Sequence, residues 1–248
     1  MWQQSVNFVL DLLFPKICFS CGQEGFYICS ACLEKIEINN HPRCFSCGKR
    51  SPDNRTCQEC KHKTNLTGVI AASSWDNQIL RQLIYEYKYR FIKDLAKPLS
   101  QIMIARLKTD YLTTCETDKL IFTPVPLHRQ RFQWRGFNQA ELLAKEIANH
   151  FEAPLIQLLE RSRNTQPQAE IKKQKERKDN VKEAFLLNKT FAPLGARSAI
   201  INNLPLLKEK TVIVVDDITT TGSTLEECAT ALKPLKPKEI WGLVLARG

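Results

Sequence analysis

The sequence has no apolar run of the roughly 18 to 20 residues that a membrane-spanning helix requires. Its best candidate, residues 6–14, is too short and is interrupted by Asp11. That stretch also lacks the basic flank and small-residue cleavage site of a secretory signal. A cytoplasmic protein with no stable membrane insertion is expected. Also missing are the G-x-x-x-x-G-K phosphate loop with its lysine and the G-x-G-x-x-G dinucleotide fingerprint, which takes away the usual sequence grounds for either nucleotide-binding fold. Acidic residues are in deficit: 26 Asp and Glu stand against 36 Lys and Arg, leaving a net charge of +10. The excess favours anionic partners such as nucleic acid, polyphosphates or phosphorylated metabolites without selecting among them. Hydrophobic residues at 43% and charged residues at 25% are ordinary globular usage, which argues against disorder or coiled coil. At roughly 150 residues per domain, 248 residues suggest one large domain or two unequal ones.

What is present in excess is cysteine. Of ten cysteines, eight form four C-x-x-C pairs: Cys18/Cys21, Cys29/Cys32, Cys44/Cys47 and Cys57/Cys60. Cytosolic thiols stay reduced, so a disulfide framework is not expected. Two cysteines separated by two residues can aim both sulfurs at one ion about 2.3 Å away, and two such pairs complete a tetrahedral thiolate site. Four pairs predict two structural zinc ions. The alternatives are one zinc with spare pairs, or an iron–sulfur site. A thioredoxin-like redox motif would need one pair, not four. The longest loop between pairs separates Cys32 from Cys44, which favours sequential pairing, although spacing leaves an interleaved arrangement open. Gly22 and Gly48 follow the second cysteine of their pairs, where a tight knuckle needs positive φ. With eight thiolates available, His41 and His62 are read as surface residues.

Beyond residue 63 cysteine falls to background, and a boundary is expected near residues 61–67. The chain then divides into 1–66, an N-terminal helix with the cysteine module, and 67–248. Strands are expected at 68–75, 119–125, 211–215 and 239–245, with a weaker one at 155–159. Helices are expected after Asp76, which is read as a cap, around Leu95 to Met103, from Asn138, and over 223–233. Residues 162–183 are polar and read as a mobile loop or frayed helix; residues 188–209 are ambiguous. Strands alternating with helices imply an α/β fold with a mainly parallel sheet and helices on both faces.

The second sharp feature is Val212-Ile-Val-Val-Asp-Asp-Ile-Thr-Thr-Thr-Gly-Ser-Thr224. An apolar strand brings Asp216 and Asp217 to its C-terminal end, the edge where open α/β sheets bind ligands. Thr220, Thr221, Gly222, Ser223 and Thr224 then lead into a helix. Hydroxyls, backbone N–H groups and the helix N-terminus together form a phosphate cradle. Two acids beside such a cradle need ribose hydroxyls or a magnesium ion to satisfy them. This run resembles the phosphoribosyl-pyrophosphate (PRPP) site of type I phosphoribosyltransferases.

Upstream lie Pro124-Val-Pro-Leu127 and Arg135-Gly-Phe-Asn-Gln139, followed by Arg163, Thr165-Gln166, Arg177 and Asn180. With the cysteine module and the PRPP motif, they make the chain similar to the ComF/GntX family of competence-associated proteins, which join a double zinc ribbon to a phosphoribosyltransferase-like domain. The resemblance departs at Pro167 and Gln168, where the family carries a glycine. It implies that Pro126, Leu127, His128 and Arg129 form a pyrophosphate loop. Residues 163–180 would be a flexible loop from which Arg163, Lys172, Lys173 and Arg177 could reach the pyrophosphate. Asp216 and Asp217 would hold the ribose hydroxyls and the turn from Thr220 to Thr224 the 5-phosphate, with Mg2+ accompanying PRPP. A catalytic residue is not identified. Thr220 stands where 6-oxopurine salvage enzymes carry an aspartate, which weakens a purine-salvage assignment.

The function implied is DNA uptake in natural transformation, with phosphoribosyl transfer to an unknown acceptor. The alternative is a non-catalytic adaptor that binds single-stranded DNA and a competence helicase, with PRPP as a regulatory ligand. Arg129, Arg131, Phe132, Trp134, Arg135 and Phe137 interleave cations with rings, a combination suited to single-stranded nucleic acid. Packing of those rings into the domain, with the arginines serving PRPP, is an equal reading.

Overall fold

The computed structural model describes residues 15–109, 116–165, 173–188 and 207–248. The N-terminal stretch 6–14, Lys172, the turn at Pro167 and Gln168, and most of the ambiguous segment 188–209 lie outside the described residues. Strand β1 (Gly68–Ser74) leads into helices α1 (Gln78–Tyr89) and α2 (Ala96–Lys108). Strand β2 (Leu120–Pro124) leads into α3 (Arg129–Arg135) and α4 (Gln139–His150). A short strand β3 (Leu159–Arg161), helix α5 (Gln174–Val181) and strand β4 (Phe185–Leu187) follow, and β5 (Thr211–Thr219), α6 (Ser223–Leu232) and β6 (Glu239–Arg247) close the chain. The central sheet has the order β1-β6-β5-β2, and every pairing in it is parallel. β3 and β4 form a separate antiparallel pair.

Period-two alternation sorts the strand side chains between two cores. Ile70, Ile213, Val215 and Leu243 face the layer built by Leu83 of α1, Leu99 of α2 and Leu143 of α4. Val69, Val212, Val214 and Val244 face Leu225 and Leu232 of α6 and Phe185 of β4. A fully buried aliphatic side chain contributes about 1.5–3 kcal/mol, so β5, enclosed on both faces, anchors the domain.

The cysteine module straddles the β1 edge of this sheet. Two similar knuckles build it, each closed by a single antiparallel bridge, Ile17 with Glu24 and Arg43 with Arg50. Gly22 and Gly48 adopt φ of 78° and 74°, as a tight turn demands. Cys18, Ile28, Cys29, Cys32 and Ile36 join the core on the α1–α2 side, whereas Phe45 and Leu66 join the core on the α6 side. The expected boundary near 61–67 is therefore not a solvent gap. Arg55 bridges to Gly68 and pairs with Glu239 at 3.0 Å, and Thr67 N donates to Ile240 O at 2.7 Å. Gly68 has no room for a side chain: a Cβ there would lie 2.4 Å from Asn54 O and 2.5 Å from the Trp241 ring.

Three local expectations need correction. Asn77, not Asp76, caps α1, its side chain accepting from Leu80 N. β5 continues to Thr219 because β6 runs equally far and pairs with it up to Arg247, so the acid pair lies inside the strand. Residues 155–159 are not a strand: Leu155 makes one bridge to Phe122, and regular pairing begins only at Leu159. Within 162–183 the helical alternative holds for Gln174–Val181, which form α5, with Val181 and the following Ala184 buried.

Candidate functional site

The C-terminal ends of β2 and β5 and the start of α6 enclose one cleft. Its walls include Lys88, Pro126, Leu127, Arg131, Arg135, Gln139, Arg161, both aspartates and the whole turn from Thr220 to Thr224. Asp217 Oδ1 accepts from Ile218 N at 2.7 Å and pairs with Lys88 Nζ at 2.8 Å. Asp216 Oδ1 accepts from Asp217 N at 2.9 Å. Asp216 is half-buried at the cleft floor. Burial first, and then the Asp217 charge, push its carboxyl up to about 7, against the pull of Lys88.

Beyond the acids the chain turns. Gly222 opens α6 at φ 76°, Ser223 N donates to Thr221 Oγ1 at 3.4 Å, and Thr221 Oγ1 lies 2.7 Å from Ser223 Oγ. Backbone N–H groups and hydroxyls at a helix start suit a phosphate. Thr220 Oγ1 accepts from Arg177 Nη1 at 2.8 Å, so α5 reaches the edge of this turn.

The other wall is cationic. Asn138, whose amide donates to Val125 O at 3.0 Å, starts α4 and fixes Gln139 in the cleft. Arg135 Nη1 donates to Gln139 Oε1 at 2.8 Å. Arg161 donates to Thr165 Oγ1, and Arg131 to the Thr165 carbonyl. Burial, and then the neighbouring Arg131 charge, push the Arg161 guanidinium down to about 10. Among the described residues, four buried side-chain polar atoms lack a hydrogen-bond partner. Three of them, Arg135 Nε, Gln139 Nε2 and Arg161 Nε, belong to residues lining this cleft. Buried donors left unpaired cost about 1–3 kcal/mol each. The cleft thus combines carboxylates, a hydroxyl-rich turn and crowded cations, the donor set for a ligand with both hydroxyls and phosphates.

In the N-terminal module, the sulfurs of Cys18, Cys21, Cys29 and Cys32 lie within 4.8 Å of one another, and so do those of Cys44, Cys47, Cys57 and Cys60. Pairing is sequential. Backbone N–H groups reach back to the sulfurs, Cys29 N to Cys18 Sγ at 3.5 Å and Cys57 N to Cys44 Sγ at 3.4 Å. Four thiolates at this spacing fit tetrahedral zinc and leave no open coordination position.

Two family models match the chain. A phosphoribosyl transferase domain covers residues 138–248, and a double zinc ribbon domain covers residues 9–61. Competence protein F of Haemophilus influenzae is 28% identical over 236 residues, spanning 88% of this chain and 96% of that protein. Competence protein ComFC of Bacillus subtilis is 28% identical over 216 residues, spanning 83% of this chain and 77% of that one. The DNA utilization protein YhgH of Escherichia coli is 26% identical over 229 residues, spanning 89% and 92%. The chain belongs to the ComF family. In this ComF-family chain the double zinc ribbon and the α/β domain are thus both present, in that order.

Of the residues singled out from sequence, Pro126, Leu127, Asp216, Asp217, Thr220, Thr221, Gly222, Ser223 and Thr224 come together in the ComF cleft. His128, Arg129 and Arg163 are not among its lining residues. The His128 ring caps α3 by accepting from Gln130 N at 3.3 Å, Arg129 is exposed, and Arg163 donates to the Lys182 carbonyl at 2.7 Å. Sequence reasoning missed Lys88 and Arg161 altogether and left Arg131 and Arg135 evenly between nucleic-acid contacts and PRPP contacts; the structure lines the cleft with both. Arg135 lies inside a quoted family motif, so a signal for it existed. Lys88 sits in the last turn of an ordinary amphipathic helix and offered none.

Proposed function

We propose that this protein binds PRPP with Mg2+ in the cleft and serves DNA uptake or utilisation, with residues 1–66 as its zinc module and 67–248 as a phosphoribosyltransferase-like domain. The observation that carries the proposal is the meeting of the acid pair, the hydroxyl turn and the guanidinium groups of Arg131, Arg135 and Arg161 in one cleft. Asp216 and Asp217 accept the ribose hydroxyls. Thr220, Thr221, Gly222, Ser223 and Thr224 hold the 5-phosphate. Arg131, Arg135 and Arg161 receive the pyrophosphate beside Pro126 and Leu127. Mg2+ would neutralise the pyrophosphate before it leaves. The DNA role is supported by the identity of the relatives, two competence proteins and a DNA utilization protein.

Phosphoribosyl transfer would displace pyrophosphate at the ribose carbon through positioning and charge stabilisation. Among the described residues the cleft lining includes no histidine and no glutamate, and Thr220 offers a hydroxyl bonded to Arg177. A 6-oxopurine acceptor is accordingly disfavoured. Calorimetric titration of the full chain with PRPP, with and without Mg2+, tests binding; a pyrophosphate-release screen with and without DNA tests transfer. Saturable, Mg2+-dependent binding is expected. Absence of binding at millimolar PRPP overturns the proposal.

One observation favours the adaptor reading as a second function of the same chain. Phe132 is 46% exposed and Trp134 65% exposed on α3, whereas Phe137 is only 5% exposed. Trp134 meets Phe91 edge-on at 5.0 Å, which braces it as a stacking platform for single-stranded DNA. A competence helicase as partner follows from the family resemblance.

A further inference from the structure

The pentapeptide Cys-Phe-Ser-Cys-Gly occurs twice in the module, at 18–22 and at 44–48. Both copies fold alike: Gly22 N donates to Cys18 O at 2.9 Å and Gly48 N to Cys44 O at 2.8 Å. Their phenylalanines meet different surroundings. Phe19 stacks on Tyr27 within the first ribbon, rings 5.7 Å apart and 8° from parallel. Phe45 leaves the second ribbon and lies on the phosphate turn of the α/β domain. A Cβ built on Gly222 would fall 1.7 Å from Phe45 Cζ and 2.1 Å from Cε1. The ring therefore occupies the space where a side chain at 222 would stand. From its other side the Arg247 guanidinium lies 4.8 Å from the ring centroid.

The residues just past Cys60 reach the same helix. Asn65 N donates to Glu226 Oε1 at 2.8 Å, Asn65 Nδ2 to Thr230 Oγ1 at 2.9 Å, and Thr64 Oγ1 to Glu226 Oε2. The start of α6 is thus clamped by Phe45 from one end of the second ribbon and by Thr64 and Asn65 from the other. No comparable contact from the first ribbon reaches the turn among the described residues; its apolar side chains pack on the opposite face of the sheet.

We infer that the second zinc site, at Cys44, Cys47, Cys57 and Cys60, is part of the apparatus that shapes the phosphate cradle, with Phe45 as its positioning residue. The inference rests on the PRPP reading of the cleft. Gly222 is required there twice, once for its positive φ and once to admit the ring. Metal in the second ribbon fixes the backbone at 44–48, which fixes the ring, which holds residues 220–224 in the ligand-ready shape. Preorganisation of this kind raises affinity by removing an ordering cost at binding. The first ribbon carries the same pentapeptide and serves as an internal control.

The test compares Phe45→Ala, Phe45→Leu and Phe19→Ala in the full chain by three readouts: zinc content, PRPP–Mg2+ calorimetry, and hydrogen–deuterium exchange of a peptide covering residues 219–226. Phe45→Ala should keep two zinc ions, weaken PRPP by roughly tenfold through lost preorganisation, and speed exchange at 219–226. Phe45→Leu should show both effects in weaker form, and Phe19→Ala should change neither. Wild-type exchange rates in Phe45→Ala, or equal effects from Phe19→Ala, overturn the inference. Should Phe45→Ala lose its metal, Phe45→Leu decides: faster exchange at 219–226 and weaker PRPP binding with full zinc uphold the inference, and wild-type exchange and affinity with full zinc overturn it. If wild-type protein binds no PRPP, the functional proposal falls, while the exchange comparison still decides whether Phe45 holds the turn.

Discussion

Lys88 Nζ, in the last turn of α1, lies 2.8 Å from Asp217 Oδ1 in β5, with both side chains largely buried. This ion pair lets two adjacent carboxylates coexist at the floor of the cleft. A buried pair that loses one partner leaves an uncompensated charge, a loss of about 3–5 kcal/mol.

Lys88→Met should therefore destabilise the protein by on the order of 3 kcal/mol at pH 8. Removing the Lys88 charge, which pulls the Asp216 carboxyl down, leaves that carboxyl raised further in the folded protein. Stability from such a group is present at low pH and lost as pH rises. The melting-temperature deficit of Lys88→Met should accordingly shrink toward pH 5. A deficit independent of pH would show that the lysine acts through packing alone.

Asp216 carries a related dependence in the wild-type protein. Its folded carboxyl is raised from 3.8 to about 7, by burial and then by Asp217. A raised folded pKa means that its contribution is fully present below the unfolded value and is lost as pH climbs through about 7. The slope is at most about 1.4 kcal/mol per pH unit for one proton. Denaturant melts of Asp216→Asn between pH 4 and 8 should show a shallower decline than wild type. Ribose hydroxyls need the ionised acceptor, so PRPP affinity should run the other way and strengthen from pH 6 to pH 8. Parallel pH profiles for wild type and Asp216→Asn would remove Asp216 from both roles.

Loss of charge or of a donor at the cleft should weaken PRPP. Asp216→Asn combined with Asp217→Asn removes charge-assisted acceptors, and Thr221→Val removes a hydroxyl that sits 2.7 Å from Ser223 Oγ. Each lost charge-assisted contact costs about 1.5–3 kcal/mol, or roughly ten- to a hundredfold in affinity. Unchanged calorimetric affinity in the double variant would make the motif a structural turn.

Purified protein should carry about two zinc ions per chain, one per four-thiolate site. Cys18→Ser and Cys57→Ser should each remove one ion and loosen the module, because metal binding and folding are coupled in small thiolate sites. Iron with visible absorbance, or no metal by elemental analysis, would refute the zinc assignment.

Phe132→Ala with Trp134→Ala should weaken single-stranded DNA at high as well as low salt, since stacking contributes about 1–3 kcal/mol per base. Arg129→Ala should act mainly at low salt, where counterion release dominates. Arg131 is a poor probe of DNA binding, because it lines the cleft and donates to the Thr165 carbonyl. Loss confined to Arg129→Ala would reduce α3 to a nonspecific basic surface.

The sequence alone determined what depends on near neighbours. C-x-x-C spacing sets the reach of two sulfurs, and it specified the ligand pairs down to Cys57 and Cys60. The apolar run at 211–215 was legible as a strand because all its side chains must be buried, and Asp216 to Thr224 was legible because its chemistry is contiguous. Only the tertiary structure decided which distant cations share the cleft. Lys88 and Arg161 reach it because α1 and β3 are brought to the end of β5 by the sheet and its helical layers, and single-residue periodicity carries no record of that meeting. The two identical pentapeptides make the limit plain. Phe19 and Phe45 have the same flanking residues and the same local turn, yet one stacks on Tyr27 and the other lies on Gly222. What separates them is the face of the sheet each ribbon packs against, a property of long-range packing rather than of either local sequence.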